Sequence, residues 1–270
     1  QARHLLDATP GGLAGLFLGL SGGKDSAACA GLLHEHGARV PWAYMHTTLN
    51  LPDTPDTVAA IGDRFGVEVD VAEPDDVATH IRDACKMFKT PLPPGPASTW
   101  TEWDLLRVMP ASADVLGTQP DDGAKRLAAA GARARILRVV ASGNMLVAHA
   151  YATDARGSIA GLRADESRGR RMRAFTHGAH HVFQADGQLM VCPIQWWSGE
   201  DVLAFIESRG IPLHSYYRAA YEFFRGQVPP HELRVDLSLV PEAAARHGAL
   251  TAIAKIYPDL FERLAAIRPE

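Results

Sequence analysis

The chain has 270 residues, 47% of them hydrophobic and 21% charged, with a formal net charge of −4. This is the composition of an ordinary globular protein able to bury a sizeable core, and no apolar run approaches the ~20 residues that a membrane span requires. The slight acid excess gives no bulk support for nucleic-acid binding and leaves only a local basic patch as a route to it.

In chain order, Leu13–Leu20 reads as a buried strand and Asp25–His36 as a helix whose Ala27, Ala28, Ala30, Leu32 and Leu33 suit packing on a sheet. Between them lies the turn Ser21-Gly22-Gly23-Lys24-Asp25-Ser26. Strand Arg39–His46, helix Thr54–Phe65, strand Val67–Ala72 and helix Asp75–Phe88 follow. Thr90–Pro110 breaks this rhythm with Pro91, Pro93, Pro94, Gly95 and Pro96, then Trp100 and Trp103; a lid and a surface loop pinned by the tryptophans are both open. Asp122–Tyr151 reads as one or two helices carrying Arg133, Arg135 and Arg138. Strands at Gly157–Leu162 and Leu189–Ile194, a helix at Gly199–Arg209 and further helices complete the chain. The alternation predicts an α/β fold, a Rossmann-like parallel sheet flanked by helices, with ligands at the carboxyl ends of the strands. Residues 1–217 are expected to form the nucleotide-binding domain, with the 90–110 insertion, and 218–270 a helical C-terminal extension.

A glycine turn from strand to helix presents backbone N–H groups at the positive end of the helix dipole, a natural phosphate site. Gly22 and Gly23 allow close approach, Lys24 adds charge, and Ser21 and Ser26 add hydroxyls. Neither a Walker loop nor a dinucleotide fingerprint is present.

The hexapeptide resembles the PP-loop of the ATP pyrophosphatase superfamily. Three further segments resemble its phosphoadenosine-phosphosulfate (PAPS) reductase-like branch: Gly161-Leu162-Arg163-Ala164-Asp165-Glu166-Ser167 followed by Arg170; Pro193-Ile194-Gln195-Trp196-Trp197-Ser198-Gly199-Glu200-Asp201-Val202; and Thr47-Thr48-Leu49-Asn50-Leu51-Pro52-Asp53-Thr54, with Thr48 where the branch has glycine. The resemblance implies cleavage of ATP to AMP and pyrophosphate with Mg²⁺, adenylylating an oxyanion in sulfur metabolism. Lys24 is then the stabiliser of transition-state charge, and Arg163 and Arg170 are anion clamps. Asp25 is a Mg²⁺ ligand or an orienting carboxylate at the helix start, Glu166 buttresses an arginine or the loop, and Thr47 is a nucleotide contact or an ordinary strand-end hydroxyl.

The acceptor implied by the Ser-Gly-Gly variant is a DNA backbone phosphate, as in phosphorothioation, with a cysteine desulfurase as sulfur donor and DNA reached through partner proteins. Sulfate, as in the small subunit of bacterial ATP sulfurylase, is the other acceptor. A PAPS or APS reductase is an alternative, but the Cys-Gly-Leu-His nucleophile motif is absent, and three scattered cysteines cannot form an iron–sulfur site. A non-catalytic nucleotide-binding subunit is a third. The odd, widely spaced cysteines argue against disulfides and for a reducing, cytoplasmic setting; no secretory signal is apparent, no membrane association is expected, and an oligomer is open. His177, His180 and His181 lack a carboxylate or cysteine spaced to complete a metal site, so a surface cluster is expected.

Overall fold

The computed structural model describes residues 1–73, 77–108, 153–182, 187–233 and 249–267. Backbone contacts gather the chain into two compact units, the first comprising Gln1–His46, Leu51–Ala72 and Leu146–Asp236, the second Thr47–Asn50, Glu73–Met145 and Leu237–Glu270.

The first unit is built on a sheet. Its elements are helix α1 (Ala2–Asp7), strand β1 (Leu16–Gly19), helix α2 (Lys24–His36), strand β2 (Trp42–Met45), helix α3 (Thr54–Phe65) and strand β3 (Val69–Ala72). After these come β4 (Gly157–Ile159), α6 (Arg168–His177), β5 (His180–Val182), β6 (Leu189–Val191), α7 (Gly199–Arg209) and α8 (Ser215–Phe223). The strands lie in the order β3-β2-β1-β4-β6-β5. All neighbours are parallel except β5, which runs antiparallel to β6 at the edge. The fold is therefore α/β with a mostly parallel sheet flanked by helices, as the alternation predicts. β1 has β2 on one side and β4 on the other, so the order reverses at β1. A crevice opens outside the carboxyl ends of strands at such a reversal.

The core explains the sequence pattern. Every residue of β2 is buried, and Leu16, Leu18, Ile159 and Val191 line the sheet against Ala27, Ala28, Leu33, Phe205 and Ile206 of the helices. Burying each such large apolar side chain contributes about 2 kcal/mol relative to exposure. α2 carries alanines along its buried side, which brings it close to the sheet.

The observed strands are shorter than the apolar runs that signal them: β1 keeps only Leu16–Gly19 of Leu13–Leu20, and β4 only Gly157–Ile159. Just past these strands the Leu20 N–H still donates to the Ala43 carbonyl at 2.8 Å and the Ala160 N–H to the Val191 carbonyl at 2.9 Å, so the backbone pairing runs one residue beyond each. Two elements carry no apolar periodicity and escape the sequence pattern, α6 and β5.

In the second unit, α4 (Val77–Phe88), α5 (Glu102–Val108), α9 (Ala249–Ile256) and α10 (Pro258–Ile267) are described. The insertion is irregular through its prolines, but residues after Trp100 are helical, with Trp103 buried in α5. Trp103 Nε1 donates to the Thr48 carbonyl at 3.0 Å, and Leu260, Leu264 and Ile267 pack on the cluster formed by Ile81, Ala84, Trp103 and Leu106. The helices expected in Asp122–Tyr151, with Arg133, Arg135 and Arg138, lie outside the described residues. Among the described residues no helix is long and apolar enough to cross a membrane.

Candidate functional site

The Ser21–Ser26 turn sits at the carboxyl end of β1, at the reversal of strand order. Gly22 has φ of +76°, and a Cβ there would meet Thr54 Cγ2 at 2.9 Å, so the turn requires glycine for its backbone and for the space. Gly23 is the N-cap of α2. Ser26 Oγ donates to the Gly23 carbonyl at 2.9 Å and accepts the Ser21 N–H at 3.1 Å, which closes the turn on itself. Two donors at the helix start are engaged: Gly23 N–H on Ser21 Oγ at 3.4 Å, and Lys24 N–H on the Tyr217 hydroxyl at 3.2 Å.

Lys24 is 2% exposed. Its Nζ donates to Asp25 Oδ2 at 3.3 Å and to the Leu233 carbonyl at 3.2 Å, and lies 5.5 Å from the centre of the Tyr217 ring. Burial lowers its pKa from the ordinary lysine value; the Asp25 carboxylate opposes this, while the positive charge of Arg163 adds to it. Tyr217 is pushed well up by its own burial.

Arg163 lies four residues beyond β4 and is 3% exposed. Its Nε donates to Asp25 Oδ1 at 2.6 Å, and its Nη1 to Asp165 and, at 3.5 Å, to the Trp197 carbonyl. Burial alone would lower its pKa, but Asp25 and Asp165 outweigh that and raise it. The Arg163 N–H donates to Glu166 Oε2 at 2.9 Å, and the same carboxylate oxygen accepts from the Arg170 guanidinium. Gly161, two residues before Arg163, packs on the start of α2: a Cβ there would lie 2.6 Å from the Asp25 carbonyl carbon and 2.8 Å from Ser26 N. That close approach lets Arg163 reach Asp25.

Lys24, Asp25, Arg163, Glu166 and Arg170 are thus one charge network at the turn. Thr47 belongs to the second unit, where its N–H and its hydroxyl each lie 2.7 Å from Asn50 Oδ1. Tyr217, Leu233 and Asp165 are members of the network that motif reasoning does not assign. Tyr217 is 193 residues from Lys24 and Leu233 is 209 away, and the latter contributes only a carbonyl, which no side-chain pattern encodes.

Each oxygen of Asp25 faces a cation, Arg163 on Oδ1 and Lys24 on Oδ2. Among the described residues no three His, Cys, Asp or Glu gather into a group able to hold a metal ion. In this arrangement Asp25, whose side chain is 18% exposed, orients both cations. Of the three histidines, His177 and His181 pair ring to ring at 4.5 Å, and His180 Nε2 lies 2.8 Å from the Leu5 carbonyl.

A family model for the phosphoadenosine phosphosulfate reductase domain matches residues 15–224. The chain belongs to that family. Both limbs of the charge network, at Lys24–Asp25 and at Arg163–Arg170, fall within the matched span. Members of the PAPS reductase-like family are enzymes that act on nucleotides. Among solved structures, the phosphoadenylyl-sulfate (PAPS) reductase of Candida auris in its phosphate complex is similar at 13% identity, covering 79% of this chain and 81% of that chain, with a TM-score of 0.46. No curated protein matches.

The cysteines of this PAPS reductase-domain chain are all buried and unpaired: Cys29, Cys85 and Cys192. Burial pushes the Cys29 thiol well up and Cys192 up to about 11. A thiol with its pKa raised in this way is a poor nucleophile near neutral pH, because the thiolate is the reactive form.

Proposed function

We propose that the protein is a PP-loop ATP pyrophosphatase that cleaves ATP to AMP and pyrophosphate, adenylylating an oxyanion, with a DNA backbone phosphate as acceptor for phosphorothioate modification. The observation that carries this is the buried pairing of Lys24 and Arg163 around Asp25 at the first turn of α2. Two cations held at a helix N-terminus suit the charge of a triphosphate and of its departing pyrophosphate.

An acceptor oxygen attacks the α-phosphorus in line, the bond from that phosphorus to the bridging oxygen breaks, and pyrophosphate leaves with the electron pair. The adenylylated acceptor is then open to displacement of AMP by a sulfur nucleophile, for which a cysteine desulfurase is the expected donor. Lys24 neutralises charge growing on the leaving group, exchanging the Leu233 carbonyl for phosphate oxygens. Asp25 orients Lys24 and Arg163. Glu166 holds the Arg163 backbone and the Arg170 guanidinium, and the two arginines serve as the anion clamps. Mg²⁺ would be held by Asp25 together with the phosphates of ATP and would neutralise part of their charge.

The chain's membership in a family described by its reductase favours sulfonucleotide reduction as the second reading. That chemistry needs a reactive thiol, and the buried Cys29, Cys85 and Cys192 count against it. The test is the product of ATP turnover. With ATP and Mg²⁺, the purified protein is expected to release pyrophosphate, and Lys24→Ala to lower the rate at least ~100-fold, the order seen when a charge-stabilising donor is removed. Screening sulfate, DNA and tRNA for stimulation identifies the acceptor. ADP and phosphate as products would overturn the proposal.

A further inference from the structure

Helix α6, Arg168–His177, inverts the usual pattern of a surface helix. It carries Arg168, Arg170, Arg171 and Arg173 and no carboxylate in its 10 residues, in a protein whose net charge is −4. Among the described residues, Arg168, Arg171 and Arg173 have no carboxylate partner within salt-bridge distance, whereas Arg170 is taken by Glu166. Arg168, Arg171, Met172 and Phe175 stand at i, i+3, i+4 and i+7, so they form one stripe. The stripe is exposed: Met172 is 60% and Phe175 76% accessible. It ends on Trp196, 40% accessible, whose ring centre is 5.3 Å from that of Phe175. Beside this pair is a pocket of about 260 Å³, lined by Arg171, Gln195, Trp197 and Asp165 among others. Gln195 is 5% exposed and its Nε2 has no hydrogen-bond partner among the described residues.

We propose that this face holds a single-stranded segment of nucleic acid, with phosphates on Arg168 and Arg171 and an unstacked base on the Phe175–Trp196 pair. Guanidinium groups leading onto exposed aromatic faces suit a single strand, because phosphate meets the charge and any base can stack. An acidic peptide would satisfy the arginines but leave the rings in water. The face is joined to the nucleotide site through Asp165, which lines the pocket and accepts from Arg163 Nη1. The proposal rests on the reading of the protein as an enzyme that activates a nucleic-acid phosphate, and it supplies that enzyme's acceptor surface.

The test is binding without ATP. A fluorescein-labelled single-stranded oligodeoxynucleotide of about 12 nucleotides, a length within the site sizes of single-strand binders, is titrated with the full chain and followed by anisotropy between about 50 and 200 mM salt. The expected result is salt-dependent binding that is weaker for the matching duplex. Combined Arg168→Ala and Arg171→Ala should flatten the slope of log K against log salt by about 1.4, the value for two single-strand phosphate contacts. Trp196→Ala and Phe175→Ala should each weaken binding tenfold or so, as removal of a stacking ring does. All variants should retain the wild-type melting temperature and basal pyrophosphate release, which separates loss of binding from misfolding. No binding by wild type, variants that bind as wild type does, or equal competition by polyglutamate or inorganic phosphate would each overturn the proposal. Binding without pyrophosphate release would instead overturn the ATP pyrophosphatase assignment and leave the surface standing. The reverse pattern removes the surface alone.

Discussion

At the scale of residues, the turn is held by opposite charges taken out of water. Arg163, with its side chain 4% exposed, meets Asp25 at 2.6 Å. An ion pair this buried adds little over a well-packed apolar pair, yet removing one partner leaves the other uncompensated. Arg163→Ala is therefore expected to cost about 3–5 kcal/mol of stability, and Asp25→Asn a smaller amount, because its side chain is 18% exposed and partly solvated. The double variant should be less damaged than the sum of the two, giving a coupling energy of about 1–3 kcal/mol in denaturant melts. Additive effects would mean that the pair does not act as a unit. Lys24 follows the same logic with one difference. Its partners are a carboxylate and a carbonyl, and the carbonyl is the contact an anionic ligand can replace.

At the scale of elements, the site depends on how closely strands and helices approach. A Cβ on Gly161 would strike backbone atoms of Asp25 and Ser26, and backbone cannot swing aside as a side chain end can. Gly161→Ala should destabilise the protein by about 1–3 kcal/mol, the usual cost of overpacking, and should weaken nucleotide binding in a calorimetric titration by displacing Arg163 from α2. Wild-type affinity and melting would show that the two segments are not so tightly apposed. Helix α8 contributes through its cap. His214 is 1% exposed and accepts the Tyr216 N–H on Nδ1 at 3.1 Å, so the hydrogen sits on Nε2, 3.1 Å from Thr54 Oγ1. Burial holds its pKa below the ordinary 6.5, against the pull of Asp53. Below pH 6.5 the unfolded chain takes up this proton before the folded one does. Stability then falls as the pH drops from 6.5 to the folded pKa, by at most about 1.4 kcal/mol per pH unit. Protonation at Nδ1 also removes the cap of the helix that brings Tyr217 to Lys24. His214→Asn, which caps but does not titrate there, should differ most from wild type at neutral pH and converge with it on acidification. A gap that stays constant from about pH 7.5 to 5, the span in which histidine titrates, would rule this out.

At the scale of the whole molecule, what the sequence discloses depends on how local the information is. The strand–turn–helix at Ser21–Ser26 and the Arg163–Arg170 segment each lie in one short stretch, so their motifs are readable from the order of residues alone. α6 is not readable as a helix, because Ala174 is its one buried residue among those described and no apolar stripe marks a hidden face. Tyr217 and Leu233 are not readable as site residues, because they reach Lys24 only when the chain returns after some two hundred residues. The cysteines illustrate the same limit. Spacing alone argues against an iron–sulfur site, but whether a thiol is reactive depends on burial that only the fold supplies. All three are buried, Cys29 and Cys192 among the atoms of the sheet unit and Cys85 in the second unit. Burial raises both Cys29 and Cys192, so neither carries an appreciable thiolate fraction near neutral pH. The native protein should therefore react slowly with a disulfide reagent such as 5,5′-dithiobis(2-nitrobenzoate) at pH 7.5, and the denatured protein should yield all three thiols at once. Replacing Cys29, Cys85 and Cys192 one at a time by alanine or serine should leave pyrophosphate release within about threefold of wild type, apart from losses of roughly 1–2 kcal/mol in stability where a buried sulfur is removed. A single thiol that reacts at the rate of a free cysteine, and whose replacement abolishes thioredoxin-dependent turnover, would favour sulfonucleotide reduction over the proposed ATP pyrophosphatase activity.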